Sequence, residues 1–396
     1  MKVIGEKLKI ARQIRNKTIT ELADSAKISK QALSQFEKGE SEPKTDTLFN
    51  LARQLNFPLS FFTVPYKSQV VQGNTFFRSL RSTSNLARSN YLEKTKLLLS
   101  IYDFLTSYLE MPELNLPNID FSKGFLNEEE EYDFDLIAKE VREQWGLGNR
   151  PIWNMVDLLE QHGIIMSVLK DESDKIDAFT FTDYSTGQRR YCVMLENEKN
   201  SMARRNFSIA HELGHILLHS NINMDEQENN DESMIERQAH SFAASFLLPK
   251  DAFNKDLLFP RDYNSYIYLK DKWHVSMKAM FNRAKELGRI TQEEYISLLK
   301  KYNYHLSKLN SNGERLEPLD DRINIDKPEL FETALKTLFE AKVFDSYRNF
   351  AEKLVEIGCG VNMDILYNIM ALSENFFEKY VASPIVINLK NINKEI

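Results

Sequence analysis

The sequence predicts a mainly α chain with a small β-sheet, an α+β protein with an N-terminal helical bundle, a mixed core and a helical C-terminal region. Apolar residues recur at helical spacing along most of the 396 residues. Only three short stretches, 163–168, 177–181 and 190–195, run apolar or alternate as strands do. The third observation is an apolar run, 207–219, that carries histidines four residues apart.

That run holds His211-Glu212-Leu213-Gly214-His215. Residues four apart on a helix share a face, so His211 and His215 reach one metal ion together. Glu212 is turned partly aside, where a carboxylate acts as general base on water held by zinc. Asn200 and Ser201 are candidate N-caps, and Ile209, Leu213, Ile216 and Leu217 supply a face for burial. Gly214 weakens a helix by about 1 kcal/mol relative to alanine, so its presence predicts a chain segment passing close by. An ordinary buried helix with two incidental histidines carries the same letters, and a third ligand separates the two readings.

Catalytic zinc takes three protein ligands and keeps one position for water. The third is sought in 235–249, where Ala239, Phe242, Ala243 and Phe246 repeat at helical spacing. Glu236 stands at the start of that helix, and His240, four residues on, competes with it. An acidic stretch with Asp225, Glu226, Glu228, Asp231 and Glu232 gives Glu236 the plainer alternative of a solvated carboxylate.

His-Glu-Leu-Gly-His-Ile-Leu-Leu-His followed by Glu-x-x-Ala-x-x-Phe-Ala-x-x-x-Leu-Leu-Pro resembles the ImmA/IrrE family of zinc metallopeptidases. The resemblance runs from about Tyr132 to Pro249 and implies a zincin-like core. It implies zinc held by His211, His215 and Glu236, with Glu212 as catalytic base and His219 outside the ligand set. His240 departs from the family, which more often has asparagine there. The last strand, 190–195, is a candidate edge for pairing with an extended peptide.

The length suggests two or three domains. No run approaches the roughly 18 apolar residues of a membrane helix, the N-terminus lacks the apolar core of a signal peptide, and the chain reads as cytoplasmic. Two cysteines, Cys192 and Cys359, argue against a disulfide framework or a cysteine-rich zinc site. The overall charge of −7 conceals an asymmetry, because residues 1–66 hold 11 Lys/Arg against 7 Asp/Glu. A basic head on an acidic body predicts a nucleic-acid partner for the head.

In the head, Leu8, Ala11 and Ile14 mark a first amphipathic helix and 20–26 a second. Lys27-Ile28 makes a turn, Ser29 caps a third helix over 30–38, and Gly39 ends it. Residues 45–55 supply another helix. Ala23, Ile28, Leu33 and Phe36 are placed to fix the angle between the second and third. Ser-Lys-Gln-Ala-Leu-Ser-Gln-Phe-Glu-Lys-Gly resembles the recognition helix of lambda/434-repressor-type (XRE-like) helix-turn-helix proteins, which implies that the third helix enters the major groove. Gln31, Ser34 and Gln35 suit base edges, while Lys30, Lys38 and Lys44 suit phosphate or base oxygens.

The expected organisation is a DNA-binding head over 1–66, a helical connector over 67–130, a metallopeptidase domain over 131–305 and a helical module over 306–396. In the connector, Phe-Phe-Arg-Ser-Leu-Arg-Ser resembles that of repressor-fused members of the same family, and 90–108 reads as a long helix. Behind the core, 266–287 reads as one helix, within which 275–284 hints at a second helix-turn-helix-like element. The expected function is a DNA-binding regulator with its own zinc endopeptidase, acting as a homodimer on a double-stranded operator. It cleaves a repressor protein or itself in a stress, phage or mobile-element response, and no membrane is involved. The alternative is a repressor whose metallopeptidase-like domain is a non-catalytic sensor or dimerisation scaffold.

Overall fold

The computed structural model describes residues 2–67, 70, 84–121, 125, 132–169, 178–196, 201–220, 230–308 and 316–381. The connector motif at 76–82, Asp225, Glu226 and Glu228, and the tail beyond 383 lie outside the described residues. Helices dominate, and three strands form a small mixed sheet, as the sequence predicts. Two compact units share the chain. One comprises Met1–Gln69, Leu92–Leu109 and Phe331–Ile396, and the other Val70–Tyr91 and Glu110–Leu330.

The first unit begins with α1 (Gly5–Ile14), α2 (Ile19–Ala26), α3 (Lys30–Lys38) and α4 (Thr45–Leu55), followed by a 3-10 turn at Leu59–Phe62. Local chemistry sets each boundary. The Thr18 hydroxyl accepts from the Glu21 backbone N–H while the Glu21 carboxylate accepts from the Thr18 N–H, a capping box that starts α2. Ser29 caps α3 through the Ala32 N–H at 3.1 Å, and Gly39 leaves it at φ +72°. Leu8, Ala11, Ala23, Leu33, Leu51 and Leu55 close the core.

The same unit contains part of α5 (Asn85–Thr106), then α14 (Leu330–Glu340) from Phe331 on, α15 (Tyr347–Glu356) and α16 (Met363–Ile369). Phe339, Phe344, Phe350 and Phe377 form its aromatic cluster. Polar contacts bind this C-terminal part to the head. Lys7 Nζ, buried, donates to the Gly358 carbonyl and lies over the rings of Phe61 and Tyr66. Arg15 reaches Asp364, and Asn362 Nδ2 donates to the Asn56 carbonyl at 2.9 Å.

The second unit takes the start of α5 up to Tyr91 and continues with α6 (Phe134–Gln144) and α7 (Met155–Gln161), capped by Asp133 and Asn154. Its sheet contains β1 (Ile165–Leu169), β2 (Ala178–Asp183) and β3 (Arg190–Glu196). The order is β1-β3-β2, with β1 parallel and β2 antiparallel to β3. The sheet therefore corrects one expectation: among the described residues β3 is the central strand, and β1 and β2 are the edges. The buried run Tyr191–Leu195 within β3, paired on both sides, suits that central position.

Next come α8 (Met202–His219) and α9 (Asn230–Leu247), packed on each other, then α10 (Lys250–Asp256). Gly214 permits the packing. A Cβ there would lie 3.1 Å from both Ala239 Cα and Phe242 Cδ1, so the predicted close neighbour is α9. Arg142 of α6, buried, donates to the Phe246 carbonyl at 2.6 Å and so ties α6 to the end of α9.

The predicted single helix over 266–287 is instead two, α11 (Tyr263–Trp273) and α12 (Met277–Glu286). His274 is left-handed at φ 51°, and Ser276 caps α12 through the Ala279 N–H at 3.2 Å. A serine that satisfies the first donors of a new helix competes with continuing the old one. Finally α13 (Gln292–Ser307) starts at a Thr291–Glu294 capping box. Buried Lys270 anchors the chain beyond it through Glu317 and Asp320, at 2.8 and 2.5 Å.

Candidate metal centre and DNA-reading helix

Helix α8 starts where the Ser201 hydroxyl accepts from the Arg204 N–H at 3.3 Å. His211 and His215 follow one turn apart and turn their Nε2 atoms towards each other, 3.1 Å apart. Glu236 approaches from α9, placing Oε2 3.2 Å from His211 Nε2 and Oε1 3.4 Å from His215 Nε2.

Donors bound at about 2.0–2.1 Å to a tetrahedral zinc stand about 3.3 Å apart, so this spacing fits that ion. The donor chemistry also suits it, because two imidazole nitrogens and a carboxylate oxygen are donors that zinc accepts. Burial alone would raise the Glu236 carboxyl, yet hydrogen bonds and charge from His211 and His215 hold it well below the usual carboxylate range. Among the described residues, these are the His/Cys/Asp/Glu side chains grouped closely enough to hold a metal. His240 is not among them. It is exposed and packs its ring on Phe207, with centroids 4.8 Å apart.

Glu212 is buried beside this group. Its Oε2 accepts a 2.6 Å hydrogen bond from the Thr180 hydroxyl of β2. Sequence reasoning missed Thr180, although a lone hydroxyl in Ala-Phe-Thr-Phe was a usable signal, because a buried hydroxyl needs a partner. His219, also buried, turns Nδ1 to His215 Nδ1 at 3.1 Å and Nε2 to Gln238 Oε1 at 2.9 Å. Burial pulls the His219 imidazole down to about 4. A cavity of about 590 Å³ is lined in part by Arg204, Phe207, Ser208, His240 and Lys278, and not by His211, Glu212, His215 or Glu236. Arg204, Phe207 and Ser208 lie within two turns before His211, and His240 lies one turn after Glu236.

In the head, α3 keeps Leu33 inside and leaves Lys30, Gln31 and Lys38 exposed, with Ser34 and Gln35 half-buried. Lys44, also exposed, sits at the N-cap of α4. Lys38 pairs with Glu40 at 3.8 Å, a solvated contact that leaves its charge available. Of the residues expected to set the helix angle, Ala23 and Leu33 are fully buried, and Ile28 and Phe36 are partly so.

The sequence reading passed over two further supports of α3. Arg12 makes a buried two-pronged pair with Glu37, Nε–Oε1 2.6 Å and NH2–Oε2 2.8 Å. Gly5 lies against the end of α3 so closely that a Cβ would stand 2.2 Å from the Phe36 carbonyl oxygen.

A four-helix reading head with α2 and α3 capped, and a two-histidine, one-carboxylate centre beside a buried glutamate, define a helix-turn-helix protein with a metallopeptidase-type domain. Residues 8–62 match the helix-turn-helix family model, and residues 159–285 match that of the IrrE N-terminal-like domain. The chain is a fusion of an XRE-type helix-turn-helix with an ImmA/IrrE-like domain.

Over 58 residues, 15% of this chain, it is 38% identical to the transcriptional regulator ClgR of Mycobacterium tuberculosis, in both strain CDC 1551 / Oshkosh and strain ATCC 25618 / H37Rv. The chain spans about half the length, 52%, of these curated relatives. A solved Mycobacterium tuberculosis transcriptional regulator aligns at 16% identity and a TM-score of 0.29, over 39% of this chain and 47% of that one.

Proposed function

We propose that this protein is a DNA-binding transcriptional regulator that carries a zinc-dependent endopeptidase and cleaves a repressor protein or itself in a stress, phage or mobile-element response. The observation that carries the reading is the setting of Glu212. A scaffold needs the three metal donors but not a buried carboxylate beside them, held by a hydroxyl from another element. Zinc bound by His211, His215 and Glu236 would polarise a peptide carbonyl and acidify water. Glu212 is the base. Thr180 fixes its Oε2, and Oε1 takes the proton from the attacking water and passes it to the leaving amine. The cavity beside His240 gives the polypeptide substrate a bed, with Arg204 and Lys278 on its walls.

At the other end, Gln31, Ser34 and Gln35 read base edges while Lys30, Lys38 and Lys44 hold phosphates. Two copies bind a pseudo-palindromic operator, with half-sites about one helical turn apart. The protein works in the cytoplasm, where its DNA lies. Among the described residues, no helix is long and apolar enough to cross a membrane.

The test compares Glu212→Gln with His211→Ala. Glu212→Gln keeps the shape but cannot take a proton. It is expected to retain zinc and operator binding, lose peptide hydrolysis by roughly 10²–10⁴-fold, and lock the regulated promoter in one state. His211→Ala should lose zinc as well. Normal regulation in Glu212→Gln, with failure only in His211→Ala, would make the metal a structural element of a scaffold and end the peptidase reading.

A further inference from the structure

We propose that the cavity beside the candidate metal centre is a specificity pocket for an acidic residue of the polypeptide substrate, selected by Arg204 and Lys278. This rests on the peptidase reading above and names the class of substrate for that site.

Two rungs between α8 and α9 locate the cavity. One is His211 against Glu236, at 3.2 Å between Nε2 and Oε2. The other is Phe207 against His240, with ring centroids 4.8 Å apart. The second rung lies four residues from the first on both helices, backwards on α8 and forwards on α9, so the helices run antiparallel. Phe207 and His240 line the cavity. It therefore begins about 6 Å from the metal donors, four residues at ~1.5 Å each.

The walls repeat one chemistry. Arg204 and Ser208 lie four residues apart on α8, and Lys278 and Asn282 four apart on α12. Each helix thus turns a cation and a neutral hydrogen-bonding group into the same space. Arg204 and Lys278 are exposed. Phe207, Leu306 and Leu316 keep water from part of the wall, which strengthens a charge contact relative to open solvent.

Two anionic side chains, Glu317 and Asp320, also line the cavity. Fully buried Lys270 pairs with both, at 2.8 and 2.5 Å. Glu317 further accepts from the Tyr302 hydroxyl at 2.7 Å and the Met277 N–H at 3.0 Å. Lys270, Arg204 and Lys278 together outnumber the two carboxylates, so the cavity is net positive. Either form of His240 leaves that sign unchanged.

A carboxylate between the Arg204 guanidinium and the Lys278 ammonium gains from both, while a cationic side chain there is repelled. The volume of about 590 Å³ falls within the roughly 300–1,000 Å³ of ligand sites. Arg204 precedes His211 by seven residues, about 10 Å along the axis. An extended peptide covers that distance in about three residues. The selected acidic residue should therefore stand about three positions from the scissile bond.

Binding and cleavage are measured separately on the full-length protein. The probes are fluorescein-labelled octapeptides that differ only in carrying Glu, Gln or Lys at three adjacent positions. Affinity is read by fluorescence anisotropy in the Glu212→Gln protein supplied with zinc, so that the probe stays whole. The Glu probe should bind roughly 10-fold tighter than the Gln probe, and the gap should narrow as salt rises. Lys278→Glu and Arg204→Glu should each erase that gap and favour the Lys probe, a gain that misfolding cannot produce.

Equal binding of the Glu and Gln probes, or a preference for Glu that survives Lys278→Glu, would overturn the proposal. So would displacement of the Glu probe by free glutarate at matching concentration, which would make the cavity a small-anion site. Glu-probe binding without cleavage by wild type would sink the peptidase reading and leave the acidic-peptide site standing. Cleavage of all three probes alike would keep the peptidase and remove the pocket.

Discussion

Thr180 and Glu212 meet across 32 residues of sequence to make one buried hydrogen bond. Hydrogen bonds to charged groups contribute about 1.5–3 kcal/mol. Thr180→Val keeps the volume and removes the donor. It should slow peptide hydrolysis by roughly 10- to 100-fold with zinc content unchanged. Loss of zinc alongside the rate would assign Thr180 to the fold instead.

Lys7 tests a second residue-level idea. Burial pulls its ammonium down to about 8 from 10.5, with Cys359 opposing. Between those pH values the unfolded chain holds a proton that the folded chain has released, so this group's contribution to stability rises with pH. Burial pushes Tyr66 and Cys359 up, and their contributions run the other way. The measurement is therefore the stability of wild type minus that of Lys7→Met, which should grow as pH rises from 8 towards 10.5. A difference that is flat or shrinking would show that the ammonium stays charged against Phe61 and Tyr66.

Among the elements, α3 depends on two glycines for different reasons, Gly39 at its C-cap and Gly5 of α1 packed against its end. Gly39 has a positive φ and open space around it, so Gly39→Ala meets only the left-handed penalty of about 1–2 kcal/mol. Gly5 has an ordinary φ but no room, and its Cβ would meet backbone atoms of Phe36, Glu37 and Gly39. Gly5→Ala should melt the head at lower temperature and weaken binding to all DNA sequences alike, because it displaces α3 as a body. Thermal melts beside operator and random-DNA isotherms read both effects. Loss of specificity alone would show that α3 keeps its seat.

This contrast marks what a sequence discloses about elements. Caps and stops at Thr18, Ser29 and Gly39 act within four residues, so α2 and α3 were legible almost to their ends. The histidine pair at 211 and 215 was legible for the same reason. Strand order was not, because pairing of β3 with both neighbours is settled by contacts far apart in sequence. The choice between Glu236 and His240 needed either a family resemblance or the packing of α9 on α8. Gln238 carried no local signal at all.

For the whole molecule, the notable fact is that the C-terminal helices belong to the same compact unit as the DNA-reading head. Lys7 with Gly358, Arg15 with Asp364 and Asn56 with Asn362 join segments about 300 or more residues apart. Deleting 331–396 should therefore lower the stability of α1–α4 and increase hydrogen exchange at their backbone amides. Protection equal to that of the full chain would show that the head stands alone.

The peptidase-like domain is threaded between two stretches of a unit that does not contain it. Hydrolysis of one peptide bond inside 110–330 would break covalent continuity, yet the two fragments would each keep part of that shared unit. A shorter band on a denaturing gel and a freed head are thus separate events. A nicked regulator could keep its operator-reading end assembled, and native mass measurement rather than electrophoresis would tell whether anything had left.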